Sequence, residues 1–306
     1  MITYLVRRML RIPLLLMASF VPAFLLVHAA PDGPFDPRRT LPTAVEAALA
    51  AECDLDEPLA LEMVAALVSW VRLDVDGCTG ISLADAAPVL PTVARAVIPT
   101  LQLALLAIAL ALGIGAAGGV VAASMSSALA ERSSRSALAV LAAMPAFVLA
   151  PFLVLVGSLW LPLFSPARFL TGVELLVPAG ALGLAFAAGV ARVTRDALRA
   201  PEVVRRRTVD LARGLSRTRA RALRLAFLAV LAGLGPMASA ITMGAISVEL
   251  VFDLEGLGPL VLRAANGRDY NLLLGGALAY GALLLSFSLV ADTLYGALDP
   301  RVRGAR

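Results

Sequence analysis

Residues 98–123 read Ile-Pro-Thr-Leu-Gln-Leu-Ala-Leu-Leu-Ala-Ile-Ala-Leu-Ala-Leu-Gly-Ile-Gly-Ala-Ala-Gly-Gly-Val-Val-Ala-Ala, with no charged side chain and no histidine. A helix needs about 20 consecutive apolar residues to cross the hydrocarbon core of a bilayer. This stretch therefore predicts a membrane-spanning helix. Five more stretches are similarly long and apolar, at residues 9–29, 138–161, 175–191, 225–250 and 272–298. We expect an all-α integral membrane protein with six transmembrane helices.

The composition agrees with a membrane protein. Of the 306 residues 60% are hydrophobic and 16% are charged, and the mean hydropathy is +0.87. An average soluble domain is about 45–50% apolar and about 25% charged. The difference excludes a soluble single-domain enzyme, a disordered chain and a small disulfide-stapled protein.

The six spans divide the chain into three parts. Residues 1–30 form an N-terminal transmembrane helix, residues 31–97 an extracytoplasmic loop with short helices, and residues 98–306 a five-helix core. The first part also fits a cleaved signal peptide, because Arg7 and Arg8 precede an apolar run that ends in small residues. That run is long for a signal peptide, so we favour a retained span.

The distribution of charge predicts the orientation. With the N-terminus inside, 19 of the 26 basic residues but only 6 of the 22 acidic residues fall in the inner segments. Inner loops of membrane proteins carry such an excess of basic residues. We therefore expect both termini in the cytoplasm, and the basic balance reflects topology and contact with membrane lipid rather than nucleic-acid binding.

The sequence lacks the residues that several classes of chemistry require. Every basic residue is arginine, so the chain has no lysine for a nucleotide-binding P-loop or a Schiff base. The single histidine, His28, leaves no zinc helix or catalytic triad. The central parts of the last five spans carry no charged residue, which argues against an ion-coupled carrier, although carbonyls and hydroxyls can form a sodium site. We expect no catalytic residue, metal site or cofactor in this chain.

Both cysteines, Cys53 and Cys78, lie in the predicted outer loop. An outward-facing compartment permits disulfides, so one interpretation is a bond between them. The other interpretation is two unpaired thiols.

The same outer loop predicts two short helices. One covers residues 43–52, and the other begins with Asp56 as its cap and runs through Trp70. At helical spacing, one face of the second helix collects apolar side chains: Leu59, Met63, Ala66, Leu67 and Trp70. This face is either a platform for an external partner or a cap packed on the helix bundle.

The inner segment 192–224 holds the densest cluster of arginines in the chain, eleven in all. Helix-forming residues run to Arg213, Gly214 can end a helix in a left-handed conformation, and Ser216 can cap a second one. Two short helices at a sharp turn are predicted. The segment either binds anionic lipid head groups or docks a cytoplasmic partner.

A series of short motifs runs along nearly the whole chain. Near the start and in the outer loop they are Tyr4-Leu5-Val6-Arg7-Arg8, His28-Ala29-Ala30-Pro31, Leu55-Asp56-Glu57-Pro58-Leu59 and Pro99-Thr100-Leu101-Gln102-Leu103-Ala104. Further on they are Asp210-Leu211-Ala212-Arg213-Gly214-Leu215-Ser216, Glu249-Leu250-Val251-Phe252, Gly256-Leu257-Gly258, Asn266-Gly267-Arg268-Asp269-Tyr270 and Leu298-Asp299-Pro300-Arg301-Val302-Arg303. In order and spacing they resemble the dipeptide/oligopeptide/nickel family of ABC-transporter permeases.

The resemblance implies a fold like that of type I ABC importer permeases and a place in the bacterial inner membrane as the B-type subunit. It also implies partners: a homologous second permease, two cytoplasmic ATPases that bind ATP and Mg, and an extracytoplasmic substrate-binding protein. The chain itself would be no enzyme. The transported solute would be a peptide or a related small molecule. Spans built of Ala, Leu, Gly and Ser carry no side-chain chemistry that selects one such solute over another.

Two sets of site residues follow. The resemblance implies an ATPase-coupling loop at Asp210, Leu211, Ala212, Arg213, Gly214, Leu215, Ser216 and Arg217. The second set lies in or next to an outer loop, residues 251–271, where we expect an outer gate with tight turns at its glycines: Glu249, Gly256, Gly258, Arg268, Asp269 and Tyr270.

The sequence departs from the family motifs at a few positions. Asp210 replaces a small residue in the coupling loop, and Glu255 stands where proline precedes Gly-Leu-Gly. These changes leave a second hypothesis, a membrane scaffold or sensor on a permease-like fold that does not transport. An ion-coupled carrier is a third.

Overall fold

The computed structural model describes residues 2–29, 59–72, 80–84, 86–125, 127–161, 175–213 and 218–298. In these residues the chain is helical apart from short turns and one bridge between Ile81 and Pro88. The helices are α1 (Ile2–Ala29), α2 (Leu59–Arg72), α3 (Val89–Ser124), α4 (Ala128–Ala143), α5 (Ala146–Val154, continued by a π-helical turn at Leu155–Trp160), α6 (Leu176–Leu198), α7 (Pro201–Ala212), α8 (Thr218–Ala232), α9 (Leu234–Val251), α10 (Leu257–Asn266) and α11 (Tyr270–Leu298). The all-α prediction is confirmed for this part of the chain.

Four of these helices, α3, α6, α9 and α11, are long and apolar enough to cross a membrane. The bent pair α4–α5 provides a fifth candidate, and within α1 the apolar helical part covers Ile12–Leu26. The described residues thus hold four or five candidate spans, and the sixth stays a prediction.

The predicted span 138–161 is not one continuous helix. The axes of α4 and α5 differ by 96° across Met144 and Pro145. Met144 is extended (φ −79°, ψ 119°) because the ring of a following proline disfavours helical backbone. Pro145 then precedes the first residue of α5. Pro145 and Pro151 in this stretch predict a bent helix, because proline removes a backbone donor, and the structure shows a break at the first of them.

The predicted span 225–250 is also wrong as a single helix. It divides at Gly233 into α8 and α9, and α8 begins within the predicted inner loop. Pro236 explains the division, since it has no N–H for the carbonyl of Ala232 and its ring would clash with that carbonyl in a continuous helix. The first turn of α9 tolerates the proline because N–H groups there lack helical partners.

By its contacts the chain divides into two compact units, one of Gln102–Asp253 with Ser286–Arg306 and one of Ile2–Leu101 with Leu254–Leu285. In the first unit α3 and α6 approach until their backbones touch. A Cβ built on Gly115 would lie 2.6 Å from the carbonyl oxygen of Ala187, and one on Gly119 would lie 2.5 Å from that of Ala191. Small residues four apart allow such close packing of helices in lipid.

In the second unit the apolar face of α2 is buried. Ala66 packs with Phe20 and Phe24 of α1 and with Leu274 of α11, and Met63, Leu67 and Trp70 lie against this cluster. The face predicted for this helix is confirmed at those four positions, and it serves as a cap within its own unit. The helix begins at Leu59; Asp56 and the predicted helix 43–52 lie outside the described residues.

Candidate functional site

Segment 192–224, predicted to lie on the inner side, contributes to a helix on each side of Gly214. Helix α6 runs to Leu198, and after Arg199 and Ala200 the chain enters α7 at Pro201, a residue whose fixed φ suits the first helical position. Glu202 in the first turn complements the positive end of the helix. The predicted coupling residues 214–217 lie outside the described residues, so the turn at Gly214 and the cap at Ser216 stay predictions.

A cleft of about 590 Å³ lies between α7 and α8. An ion pair joins the two helices across it, between Asp210 and Arg221 at 3.2 Å. The residues lining the cleft include four arginines and one acid: Val203, Arg205, Arg206, Val209, Asp210, Arg213, Arg221, Ala222 and Leu225. This surplus of positive charge favours an acidic partner surface.

Of the predicted coupling residues, two line this cleft. Asp210 is held by Arg221, whereas Arg213 follows the last residue of α7 and has an exposed side chain. Ala212 is exposed as well, and Leu211 belongs to α7. The structure therefore places the described part of the predicted loop on an accessible, arginine-lined surface.

A second charged cluster, which we call the Glu131 cluster, was not predicted. The Glu131 carboxylate accepts from Arg135 at 2.9 Å, from Arg195 at 2.8 Å and from Arg199 at 2.7 Å. Arg195 also binds Asp196 at 2.8 Å, and its side chain is only 4% exposed. The four-residue spacing of Arg195, in the last turn of α6, and Arg199, its C-cap, was a sequence signal that two cations lie on one side of the helix end.

Arg199 also binds the end of another helix. Its Nε donates to the carbonyl of Ala123 at 3.2 Å, and its NH2 group donates to the carbonyl of Met125. These carbonyls belong to the end of α3, where no intrahelical donor is available. One guanidinium therefore joins the end of α6 to the end of α3 and the first turn of α4.

In the other unit a buried aspartate organises the predicted outer-gate motif. Asp269 is 2% exposed, and its carboxylate accepts from the backbone N–H of Leu83 at 3.1 Å, from that of Leu272 at 3.2 Å and from the Ser82 hydroxyl. The bond to Leu272 makes Asp269 the N-cap of α11. Asn271 adds a bond to the carbonyl of Ile81 at 2.8 Å. We call this group the Asp269 anchor.

Helix α10 ends just before the anchor. Arg268 adopts a left-handed backbone (φ 53°), Asp269 N–H binds the carbonyl of Ala264 at 2.8 Å and Arg268 N–H binds that of Ala265 at 3.3 Å. This pair of bonds is a Schellman ending, in which glycine usually takes the left-handed position. Here that position holds an exposed arginine.

The remaining gate residues are dispersed. Glu249 is fully buried in α9, Gly258 is buried in α10, and Tyr270 is 8% exposed. Gly256 has φ −94° and ψ −173°, an extended conformation open to any residue, and Gly258 is helical. The expectation of a tight turn is therefore wrong for Gly258, whereas at Gly256 a short bond from its N–H to the carbonyl of Leu254 at 2.9 Å closes a turn. The left-handed positions of this region are Asp253 and Arg268.

An apolar cavity of about 600 Å³ lies in the first unit. Both helix breaks line it, through Pro145 and Gly233, and Gly189 of α6 lies between them in the chain. Arg192 is the one charged residue among those lining it. The residues described contain no cluster of His, Cys, Asp and Glu suited to a metal ion, and Cys53 and Cys78 are not among them.

Comparison with protein families decides the class. Residues 109–304 match the family described as binding-protein-dependent transport system inner membrane component. The chain belongs to this family. Permease relatives match along more than nine-tenths of the chain.

Two relatives illustrate the similarity. The oligopeptide transport system permease protein OppB of Haemophilus influenzae is 31% identical over 296 residues, which cover 92% of each chain. The dipeptide transport system permease protein DppB of Bacillus subtilis is 27% identical, covering 99% of this chain and 98% of the relative. A solved amino acid ABC transporter with histidines has a similar fold, with a TM-score of 0.52 at 19% identity over 68% of this chain and 94% of that one.

Proposed function

We propose that this permease is the B-type subunit of an ATP-driven importer and forms half of a translocation pathway for peptides delivered by an extracytoplasmic binding protein. Relatives named as oligopeptide and dipeptide permeases, which match over more than nine-tenths of the chain, support the substrate class. The full assembly would hold a homologous second permease and two ATPases, which bind ATP and Mg. The hypotheses of a scaffold and of an ion-coupled carrier find no such support.

The proposed topology has six spans with both termini in the cytoplasm. Helix α1 would be the first, the bent pair α4–α5 the third and the divided pair α8–α9 the fifth. The excess of arginine in the inner segments supports this orientation. Segment 192–224, with α7, would then face the cytoplasm, where the ATPases are.

The arginine-lined cleft between α7 and α8 is the observation that carries the coupling proposal. Helix α7 has exposed charges that a partner can contact, and short connections join it to the spans on both sides. A partner that displaces α7 would therefore displace these spans. The ATPase would contact residues 204–216, with Gly214 as the turn and with Arg213 and Arg217 against acidic ATPase residues. Because the chain has no lysine for a nucleotide-binding loop, its energy must come through this contact.

The apolar cavity between the two helix breaks would form part of the pathway. Its lining offers apolar surface for side chains of varied shape and one guanidinium, at Arg192, for a carboxylate. Broken helices next to a cavity are a common arrangement in transporters, because backbone groups can face the cavity there. Selection among peptides would rest largely with the binding protein.

Reconstitution tests the proposal. The chain is purified with its second permease and two ATPases, placed in proteoliposomes and supplied with the binding protein and a radiolabelled peptide. We expect peptide uptake only when ATP is supplied on the side of the membrane that the ATPases face. A fully assembled complex that hydrolyses ATP but moves no peptide, or a chain that binds no ATPase, would contradict it and favour the scaffold.

A further inference from the structure

We infer that the Glu131 cluster is the positioning element through which movement of α7 reaches the α3–α4 hairpin, an inference that rests on the proposed function. None of the cluster's residues is among those that line the cleft between α7 and α8. They act through the helices they join. The inference therefore concerns how the permease transmits force after the ATPase has docked.

The first step is the connection between α7 and the cluster. Only Arg199 and Ala200 separate α6 from α7. Both are held by backbone bonds, since Arg199 N–H binds the carbonyl of Arg195 at 3.0 Å and Val204 N–H binds that of Ala200 at 3.0 Å. A displacement of α7 therefore also displaces Arg199, because the connection between them is short and held by hydrogen bonds.

The second step is the reach of Arg199. Its guanidinium binds the Glu131 carboxylate at 2.7 Å and the carbonyls of Ala123 and Met125. Ala123 lies in the last turn of α3, and Glu131 lies in the first turn of α4. One planar group with five donors therefore holds both arms of the hairpin, which a point charge such as lysine could not do.

The third step is that α3 and α6 are in contact without the cluster. These are two of the three helices that the cluster joins, and they already pack backbone to backbone at Gly115 and Gly119. Burying Arg195 costs solvation, and its Nε has no hydrogen-bond partner in the described part of the chain. Buried ion pairs are weak contributors to stability but good determinants of one geometry over another.

The fourth step is reversibility. Glu131 keeps 31% of its side chain exposed and Arg199 keeps 26%, so water can solvate both if they separate. The side chains of an apolar contact of the same size would not gain favourable interactions with water on separating. The contact between Glu131 and Arg199 is thus suited to break and re-form during a cycle, whereas the buried Arg195 stays with the carboxylate.

The test uses the complete importer in proteoliposomes, with two readouts: peptides transported per ATP hydrolysed, and stimulation of ATP hydrolysis by the peptide-loaded binding protein. Glu131→Gln removes the charge and keeps the shape. We expect both readouts to fall about tenfold, in the range of typical coupling between sites, while assembly with the ATPases and basal hydrolysis persist. Arg199→Lys should also lower both readouts, because an ammonium group cannot hold Glu131 and the carbonyls of Ala123 and Met125 together.

Arg135→Ala is the matched control. Arg135 binds the same carboxylate, but its side chain is 63% exposed and it contacts no second helix in the cluster. Its pairing within α4 contributes little. Both readouts should therefore stay within about twofold of the unchanged importer, because exposed pairs of this kind are weak.

The outcomes separate the two proposals. An unchanged importer without ATP-dependent uptake overturns the proposed function. Uptake by the unchanged importer together with an unaltered transport-to-ATP ratio in Glu131→Gln overturns the inference alone, as does an equal loss in Arg135→Ala. Where Glu131→Gln does not accumulate in the membrane, Glu131→Asp takes its place: the shorter reach should lower the ratio, and an unaltered ratio contradicts the inference.

Discussion

The permease uses a carboxylate in two different ways in its two compact units. In the Glu131 cluster a carboxylate that is 31% exposed receives three guanidinium groups from two helices. In the Asp269 anchor a carboxylate on a residue 2% exposed receives a hydroxyl and two backbone N–H groups. The first contact can exchange its partners for water, and the second cannot.

The physical reason lies in the cost of opening each contact. Separating Glu131 from Arg199 returns two charged groups to solvent that already reaches them. Opening the Asp269 anchor leaves a buried carboxylate and buried N–H groups without partners, which is among the most costly changes available to a folded chain. We therefore expect segment 127–213 to move during transport and segments 80–84 and 264–272 to keep their contacts.

The largest expected effect follows from a substitution at the end of the segment that we expect to move during transport. Gly214→Pro should leave membrane insertion intact and abolish transport, because proline cannot take the left-handed turn predicted between α7 and α8. ATP hydrolysis by the docked ATPases should continue without its link to uptake. Peptide uptake and phosphate release from the same proteoliposomes measure this, and normal uptake would contradict the docking assignment.

On the fixed side, Asp269→Ala should destabilise the protein by about 3 kcal/mol, since it leaves the N–H of Leu83 and the start of α11 without their acceptor. Thermal unfolding of the detergent-solubilised chain measures the change. Glu255→Ala, at an exposed position of the same region, is the control and should stay within about 0.5 kcal/mol. Equal effects of the two variants would show that the hydrogen bonds of Asp269 do not stabilise the protein.

A third prediction separates packing from charge within the movable unit. Gly119→Ala places a Cβ 2.5 Å from the carbonyl oxygen of Ala191, so α3 and α6 must move apart at a cost of about 2 kcal/mol. Gly113→Ala is the matched control, because nothing lies within 4 Å of its added Cβ. The control should be neutral or slightly stabilising, since alanine favours helix. The unfolding temperatures of the two variants decide between these outcomes.

The smallest expected effect is a gain. Arg268→Gly relieves a left-handed backbone at the Schellman ending of α10 and should stabilise the chain by about 1 kcal/mol. A raised unfolding temperature with unaltered transport would mean that the side chain of Arg268 has no role in the outer gate. A raised unfolding temperature with weaker stimulation by the binding protein would give the exposed arginine a role in the outer gate.

Local patterns in the sequence predicted much of this architecture. The apolar runs at α3, α6 and α11 and the bend at Pro145 each depend on residues within one segment, and the face of α2 follows from helical spacing alone. The break at Gly233 was missed because Gly-Leu-Gly-Pro lies inside an otherwise continuous apolar run, where hydropathy hides the missing N–H of Pro236.

The two carboxylate sites were beyond the reach of such patterns. Arg195 and Glu131 are 64 residues apart, and Ser82 and Asp269 are 187 residues apart, so only the packing of helices brings them together. Motif similarity marked Asp269 as a gate residue without indicating that it binds residues 82 and 83. It did not mark Glu131 at all.

Cross-linking tests the central claim, that an ATPase docks on the arginine-lined surface of α7 and α8, most directly. Arg213→Cys, in a chain whose two native cysteines are replaced by serine, is labelled with a short photoreactive thiol reagent, assembled into the complete importer and illuminated, so that the label bonds to any neighbouring residue. Arg72→Cys in α2, on the predicted outer side, is the control. The account predicts a cross-link from position 213 to an ATPase subunit and none from position 72. An assembled, transporting complex in which position 213 forms no cross-link to either ATPase would contradict it.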